Sequence, residues 1–84
     1  MAMTGKIKEL VAVGASITAN CQPCLQYHSA KALEFGADPQ EVAEAIEMGK
    51  RVRKGAGAKM DTFAASLNCA VPAAPESKVP CCGG

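Results

Sequence analysis

The stretch NCQPCLQYH, residues 20–28, contains two of the chain's five cysteines and its single histidine. On a helix, Cys21, Cys24 and His28 follow i, i+3 and i+7 spacing, which places them on one face. Two neighbouring thiols can form a disulfide, and the reactive thiolate is stabilised by a helix N-terminus or an imidazolium. The helix dipole favours Cys21, whereas the imidazole lies nearer Cys24. The spacing predicts a redox dithiol and leaves open which sulfur reacts.

A carboxylate, Glu9, precedes Cys21 by twelve residues. If the chain forms an antiparallel helical hairpin that turns near Asn20, the rise per residue places Glu9 closer to His28 than to Cys21. A carboxylate there would hold the imidazole in one tautomer and complete a set of nucleophile, base and orienting group. The alternative is an ordinary surface carboxylate, and the spacing does not decide between the two.

Other uses of the cysteines compete with a redox pair. A structural zinc site takes about four ligands, so a closed site on this helix face would need sulfur from the end of the chain. A thiol-based metal or metalloid carrier using Cys21, Cys24, Cys81 and Cys82 is therefore the alternative, and a purely structural role for the cysteines also stays open. Haem attachment needs histidine directly after the second cysteine, where Leu25 stands instead.

The composition argues against several other functions. Nine Lys and Arg balance eight Asp and Glu, and the basic run at residues 50–54 is interpreted as a solvated helix face, so no nucleic-acid partner is expected. No segment resembles a signal peptide or a membrane span, which predicts a cytoplasmic protein without a membrane partner. No nucleotide-binding glycine loop appears, and no cofactor is expected.

Three helices are predicted to position the reactive side chains. The first covers residues 4–19, begins at Thr4, and follows i, i+3, i+4 spacing along one face. Its predicted buried residues are Ile7, Leu10, Val11, Gly14, Ala15 and Thr18. The second helix begins near Cys21 with Asn20 as its N-cap and ends at Gly36.

The third helix is predicted to begin at DPQE, where Asp38 caps, Pro39 takes the first helical position and Glu41 completes a capping box. An apolar stripe keeps its phase across Gly55 and Gly57, which predicts one long helix of about 26 residues. The stripe positions are Val42, Ile46, Gly49, Val52 or Arg53, Ala56, Met60, Phe63 and Leu67. Its small residues would let another helix approach closely, and a helix this long predicts packing against another subunit.

The predicted fold class is therefore all-α, a helical hairpin followed by a long third helix in a homo-oligomer. The helical domain is expected to span residues 1–70. Residues 71–84 contain several prolines and end in Cys-Cys-Gly-Gly, which predicts a flexible tail. Cys69, at the end of the third helix, is interpreted as structural.

The constellation of Glu9, Cys21, Cys24 and His28 resembles the carboxymuconolactone decarboxylase-like superfamily, and within it the alkyl hydroperoxidase D branch. The similarity continues through AKALEFGADPQEVAEAIEMGKRVRKGAGAKMDTF and covers roughly residues 5–67. This resemblance implies an all-helical chain that assembles as a trimer or hexamer. It also implies thiol-dependent reduction of a peroxide substrate, with the cysteines cycling between dithiol and disulfide.

Carried over residue by residue, the resemblance implies a proton relay of Glu9 and His28, with Cys24 as the peroxide-attacking thiolate and Cys21 as the resolving thiol. The attacking sulfur would become a sulfenic acid and then a disulfide, which a thiol or dithiol reductant protein would reduce. Pro23 stands where members of the branch can carry an additional polar residue. The decarboxylase members lack the cysteine pair, so lactone decarboxylation is not expected.

Overall fold

The computed structural model describes residues 2–67. The predictions for Cys69, for the proline-containing segment 71–84 and for its two cysteines lie outside the described residues. Within residues 2–67 the chain forms helices and no strand, which confirms the all-α prediction. The helices are α1 (Gly5–Thr18), α2 (Gln22–Glu34) and α3 (Pro39–Ser66).

The chain divides into two compact units, Met1–Lys54 and Gly55–Gly84. The first unit contains α1, α2 and the first part of α3. Of the second unit, the described part continues α3 and ends at Leu67. As predicted, α3 is uninterrupted at its two closely spaced glycines and runs for 28 residues. None of the helices within residues 2–67 is long and apolar enough to cross a bilayer.

The hairpin turn between α1 and α2 is built by backbone hydrogen bonds. As predicted, α1 begins at Thr4, whose hydroxyl accepts a hydrogen bond from the Ile7 N–H at 3.1 Å. At its other end the Asn20 N–H donates to the Ile17 carbonyl at 3.1 Å, and the Cys21 N–H donates to the Ser16 carbonyl at 3.0 Å. This pair of bonds is a Schellman motif, which requires a left-handed residue at its centre.

Asn20 is that left-handed residue, with φ of 56°, and the prediction that it caps α2 is wrong. Asparagine tolerates this conformation better than other non-glycine residues, so it ends α1 instead. The N-cap of α2 is Cys21, whose sulfur accepts the Cys24 N–H at 3.3 Å. Pro23 lies in the first turn of α2, where its missing N–H breaks no helical bond. The helix ends as predicted at Gly36, which has φ of 98°.

The start of α3 contains part of the predicted capping box. The Asp38 N–H donates to Glu41 Oε1 at 2.9 Å, and Lys6 of α1 lies 3.4 Å from the same oxygen. The hydrogen bond from the Asp38 backbone, followed by Lys6, lowers the pKa of Glu41. Because the pKa of Glu41 is lower in the folded protein than in the unfolded chain, the ionised Glu41 carboxylate stabilises the fold above the ordinary glutamate pKa. That stabilisation is lost as the pH falls through the pKa of Glu41 in the folded protein.

The hydrophobic core of residues 2–67 is small. Its buried residues are Val13, Ala32, Ala37 and Val42. The side chains packed against them are Leu10, Leu25, Ala45 and Ile46. A core this limited buries little apolar area for each ordered residue.

The predicted buried face of α1 is wrong in part, because Ile7, Val11 and Ala15 are exposed, whereas Leu10 packs against the core and Gly14 meets α3. The buried residues of α1 are Val13 and Ser16, because α1 buries the seam that faces the other helices of the first unit. The predicted stripe instead lines one side of an open groove of about 390 Å³, which the opposite side chains of α3 complete. Within the described chain, Ile7 and Val11 are 42% and 57% exposed.

A close contact between α1 and α3 occurs at two glycines. Gly49 is buried, and a Cβ placed there would meet the Gly14 carbonyl and come within 2.8 Å of the Ile17 Cβ. The Thr18 hydroxyl donates to the Gly49 carbonyl at 3.2 Å across the same contact. The predicted close helix approach at Gly49 is therefore confirmed. In the second unit, the stripe residues Met60 and Phe63 are exposed.

Candidate redox site

A carboxylate on α1 and an imidazole on α2 are in direct contact. Glu9 Oε1 lies 2.6 Å from His28 Nδ1, and both side chains are largely buried, at 20% and 30% exposure. An ionised carboxylate only accepts hydrogen bonds, so the Nδ1–H donates to Glu9. In the neutral ring the other nitrogen, Nε2, then has a free lone pair that can accept a proton. The hairpin thus places Glu9 at the imidazole and fixes its tautomer.

The two cysteines occupy the start of α2. Cys21 and Cys24 form a disulfide, with their Cα atoms 5.3 Å apart. Cys21 lies just outside the helix as its cap, and Cys24 lies in the first turn. The Cys24 N–H already points at the Cys21 sulfur, so a Cys21 thiolate would accept a charge-assisted hydrogen bond at a helix N-terminus.

Both sulfurs open onto one cavity, which we call the His28 cavity. It measures about 230 Å³, and its lining includes Cys21, Cys24 and His28. Ala12, Ala15 and Ser16 of α1, together with Ala19 at its C-cap, complete the wall. Because these side chains are small, they leave space beside the sulfurs for a compact reactant.

Aromatic and cationic side chains flank the imidazole. The Tyr27 ring meets the His28 ring edge-on, with centroids 5.0 Å apart. One turn further, the Lys31 ammonium lies 5.8 Å from the Tyr27 ring centroid and 3.3 Å from Glu34. The hydrogen bond with Glu34 raises the pKa of Lys31. Lys31 therefore stays a cation beside the exposed edge of the site.

No group of three or more His, Cys, Asp or Glu side chains within residues 2–67 is arranged to hold a metal ion. Cys21 and Cys24 are the described part of the alternative four-cysteine site, and Cys81 and Cys82 lie outside the described residues. The described geometry thus supplies a disulfide and a carboxylate–imidazole pair, whose chemistry is thiol–disulfide exchange and proton transfer.

Arg53 lines an opening together with Cys21, and it is not among the site residues that the sequence predicts. Arg53 of α3 donates from Nη1 to the Asn20 side-chain oxygen at 2.8 Å and to the Ile17 carbonyl at 3.2 Å. It was interpreted as part of a solvated basic run, and it is exposed. The signal that places it here is its phase, because position 53 continues the stripe that begins at Val42.

The fold and site define a class of small all-α protein with a cysteine pair at the start of one helix and a carboxylate–imidazole pair between two helices. Comparison with models of known protein families gives a narrower assignment. The carboxymuconolactone decarboxylase family model matches residues 2–71, and the chain belongs to this family. Searches of curated proteins and of solved structures found no match.

Proposed function

We propose that this protein is a thiol-dependent peroxidase of the alkyl hydroperoxidase D type. The observation that carries the proposal is the Cys21–Cys24 disulfide, which opens onto the same cavity as His28. The contact of His28 with Glu9 supports a proton relay beside the sulfurs. Membership of a family that includes enzymes is consistent with this activity.

In the oxidative half-reaction, the Cys24 thiolate attacks one oxygen of the peroxide ROOH. The O–O bond breaks, the alcohol ROH leaves with a proton from the His28 imidazolium, and Cys24 becomes a sulfenic acid. The Cys21 thiol then attacks the Cys24 sulfur, releasing water and forming the disulfide. The Nε2 lone pair, available because Nδ1–H is directed at Glu9, receives the thiol proton in each turnover.

In the reductive half-reaction, an external thiol or dithiol reductant supplies two electrons and two protons and restores both thiols. The net reaction is ROOH plus two thiols giving ROH, water and one disulfide. A compact peroxide fits the proposal because the His28 cavity is walled by alanines.

The assembly proposed for the active protein is a homo-oligomer, a trimer or hexamer. Two observations support self-association. The largest fully buried side chain among the described residues is a valine, Val13, and a core of this size leaves an isolated chain marginal. The groove between α1 and α3 is lined by four large apolar side chains that are exposed in the described chain, Ile7, Val11, Met48 and Val52.

The test is peroxide consumption by the full chain with dithiothreitol as reductant. Cys24→Ser is expected to lower turnover by more than about a hundredfold, because the nucleophilic thiolate is removed. Cys69→Ser is the matched control, and it should retain turnover. Peptide mass spectrometry of the peroxide-treated protein should find Cys21 linked to Cys24.

Removing residues 80–84 tests the metal-carrier alternative. A peroxidase is expected to keep its turnover after this truncation. Purified full-length protein that holds stoichiometric metal and loses it on truncation would contradict the peroxidase proposal, as would equal turnover by the wild-type and Cys24→Ser proteins.

A further inference from the structure

Cys21 lines a second opening besides the His28 cavity. We call it the Arg53 cleft, and it measures about 230 Å³. Its polar lining residues are Ser16, Asn20, Gln22 and Arg53, and it contains Cys21 but neither Cys24 nor His28. The two openings therefore differ in chemistry, since one presents both sulfurs to an imidazole and the other presents Cys21 alone to a guanidinium.

Arg53 is held in the cleft by α1. Its Nη1 donates to the Asn20 side chain and to the Ile17 carbonyl, and both acceptors belong to the turn that leads into Cys21. Both acceptors are neutral, and no carboxylate within residues 2–67 lies at ion-pair distance from Arg53. A guanidinium has five N–H donors, so donors remain for a carboxylate bound in the cleft.

We infer that the Arg53 cleft receives the reducing thiol, and that Arg53 favours a thiol that carries a carboxylate. The inference rests on the proposed function, because it concerns how the Cys21–Cys24 disulfide is reduced. A carboxylate paired with Arg53 places the attached sulfur beside the one cysteine that lines this cleft. A guanidinium suits this task because its planar fork matches the two oxygens of a carboxylate.

The exchange proceeds in two balanced steps. The reductant thiolate attacks the Cys21 sulfur, the Cys21–Cys24 bond breaks, and Cys24 leaves with the electron pair as a thiolate on the His28 side, where a proton from the imidazolium neutralises it. A second thiolate then attacks the reductant's sulfur, forming a disulfide of the two reductant molecules and releasing Cys21 as a thiolate. The Cys24 N–H and the start of α2 stabilise that leaving group.

The test measures reduction of the Cys21–Cys24 disulfide by three small thiols that differ in charge. The disulfide is formed with diamide, so its preparation does not depend on peroxide activity. The reactants are 3-mercaptopropionate, 2-mercaptoethanol and cysteamine, and samples are acid-quenched, alkylated and measured by mass spectrometry. Each rate is divided by the same thiol's rate with an uncharged reference disulfide, which removes differences in thiolate fraction and nucleophilicity. The wild-type protein should prefer the carboxylate thiol over the neutral one by about three- to fivefold at low salt. The preference should shrink at about 1 M salt, where charges are screened within about 3 Å.

Variants separate the charge of Arg53 from its structural contacts. Arg53→Met should abolish the preference and Arg53→Lys should retain it. Asn20→Asp keeps the left-handed turn accessible but pairs Arg53 internally, so the preference should also disappear. Arg51→Met is the matched control, because this exposed arginine lies two residues before Arg53, on a different side of α3, and does not line the cleft.

The outcomes distinguish this inference from the proposed function. A preference that survives in Arg53→Met, or an early mixed disulfide on Cys24 instead of Cys21, overturns the inference even if peroxide turnover is normal. If peroxide does not oxidise the Cys21–Cys24 pair, the proposed peroxidase function is wrong. The disulfide formed with diamide still allows the thiol preference due to Arg53 to be measured. A preference that is lost equally in Arg51→Met also overturns the inference, because net charge would then explain it.

Discussion

At the scale of single residues, the contact between Glu9 and His28 determines what the site can do with protons. A carboxylate that receives the Nδ1–H leaves Nε2 as the only ring nitrogen with a lone pair in the neutral form. Because His28 lines the cavity that contains both sulfurs, the proposed relay has a defined direction. In the proposed relay Glu9 acts through His28, so its proposed role is that of a positioning residue.

Glu9→Gln should lower peroxide turnover by about a hundredfold, the lower end of what a positioned base contributes. Glutamine can donate as well as accept, so it no longer enforces one tautomer. The pH profile of turnover should change shape in this variant. A variant that loses activity only through structural damage would instead show turnover lowered by the same factor at every pH. The measurement is turnover as a function of pH for the wild-type and variant proteins.

A double-mutant cycle with His28→Gln provides the sharper control. If Glu9 acts only through the imidazole, Glu9→Gln should have no further effect once His28 is replaced. Glu47→Gln is the matched surface control, since this exposed carboxylate pairs with Lys50 at 3.4 Å. Additive losses in the double variant would assign Glu9 a role separate from His28.

At the scale of helices, the start of α2 depends on how α1 ends. Cys21 donates its N–H to the motif that terminates α1 and offers its sulfur as the N-cap of α2. Hydrogen bonds on both sides of the turn therefore hold Cys21, one through its backbone N–H and one through its sulfur. Asn20 makes this possible because its left-handed conformation ends α1 within a short turn. Only Ala19, Asn20 and Cys21 lie between α1 and α2.

The glycine contact between α1 and α3 gives a paired prediction. Gly49→Ala should destabilise the fold by about 1–3 kcal/mol, because the new Cβ would overlap α1. Gly55→Ala should instead stabilise α3 by about 0.5–1 kcal/mol, since nothing in the described chain lies near that position. Denaturant unfolding at one protein concentration measures both, and the same sign for the two variants would contradict the assigned contact.

The sequence predicted the helices well because local signals mark their ends. Thr4, Pro39 and Gly36 each have a conformational preference that acts within one turn, and the structure confirms all three positions. Asn20 was misassigned because asparagine suits both an N-cap and a left-handed C-terminal position. Only the hydrogen bonds across the turn separate these uses.

The site shows the same division between local and tertiary information. The spacing of Glu9 from Cys21 was sufficient to predict which end of α2 the carboxylate would approach, because hairpin geometry depends on rise alone. Arg53 could not be assigned in this way. Helical phase places position 53 on the stripe that begins at Val42, but it does not specify which atoms the side chain contacts. Those contacts depend on how α3 packs against the end of α1 in the first unit.

At the scale of the whole molecule, the buried face of α1 was mispredicted for an informative reason. Periodicity identifies an apolar stripe but does not say whether the same chain covers it. The stripe on α1 faces an open groove in the first unit, while the core formed by the described residues is small. The same pattern is expected of a chain that completes its core by association, as proposed above.

Val11→Glu should weaken self-association by more than about tenfold. Val11 is 57% exposed in the described chain, so the substitution costs a monomer little, but a carboxylate buried in an apolar interface is strongly unfavourable. Light scattering coupled to size-exclusion chromatography measures the mass. Leu33→Glu is the matched control, because Leu33 is 47% exposed on α2 and does not line the groove. Equal dissociation by both variants, or by neither, would exclude the groove as the interface.

The edge-on contact of Tyr27 with His28 gives the molecule a built-in optical signal. The chain has one tyrosine and no tryptophan, so its intrinsic ultraviolet emission comes from a ring that touches the site. A disulfide quenches tyrosine emission, and Cys24 of the pair precedes Tyr27 by three residues on α2, which places the two side chains on neighbouring positions of the helix surface. The oxidation state of the cysteine pair can therefore be followed in real time on unlabelled protein, with no reporter group to disturb a chain of this size.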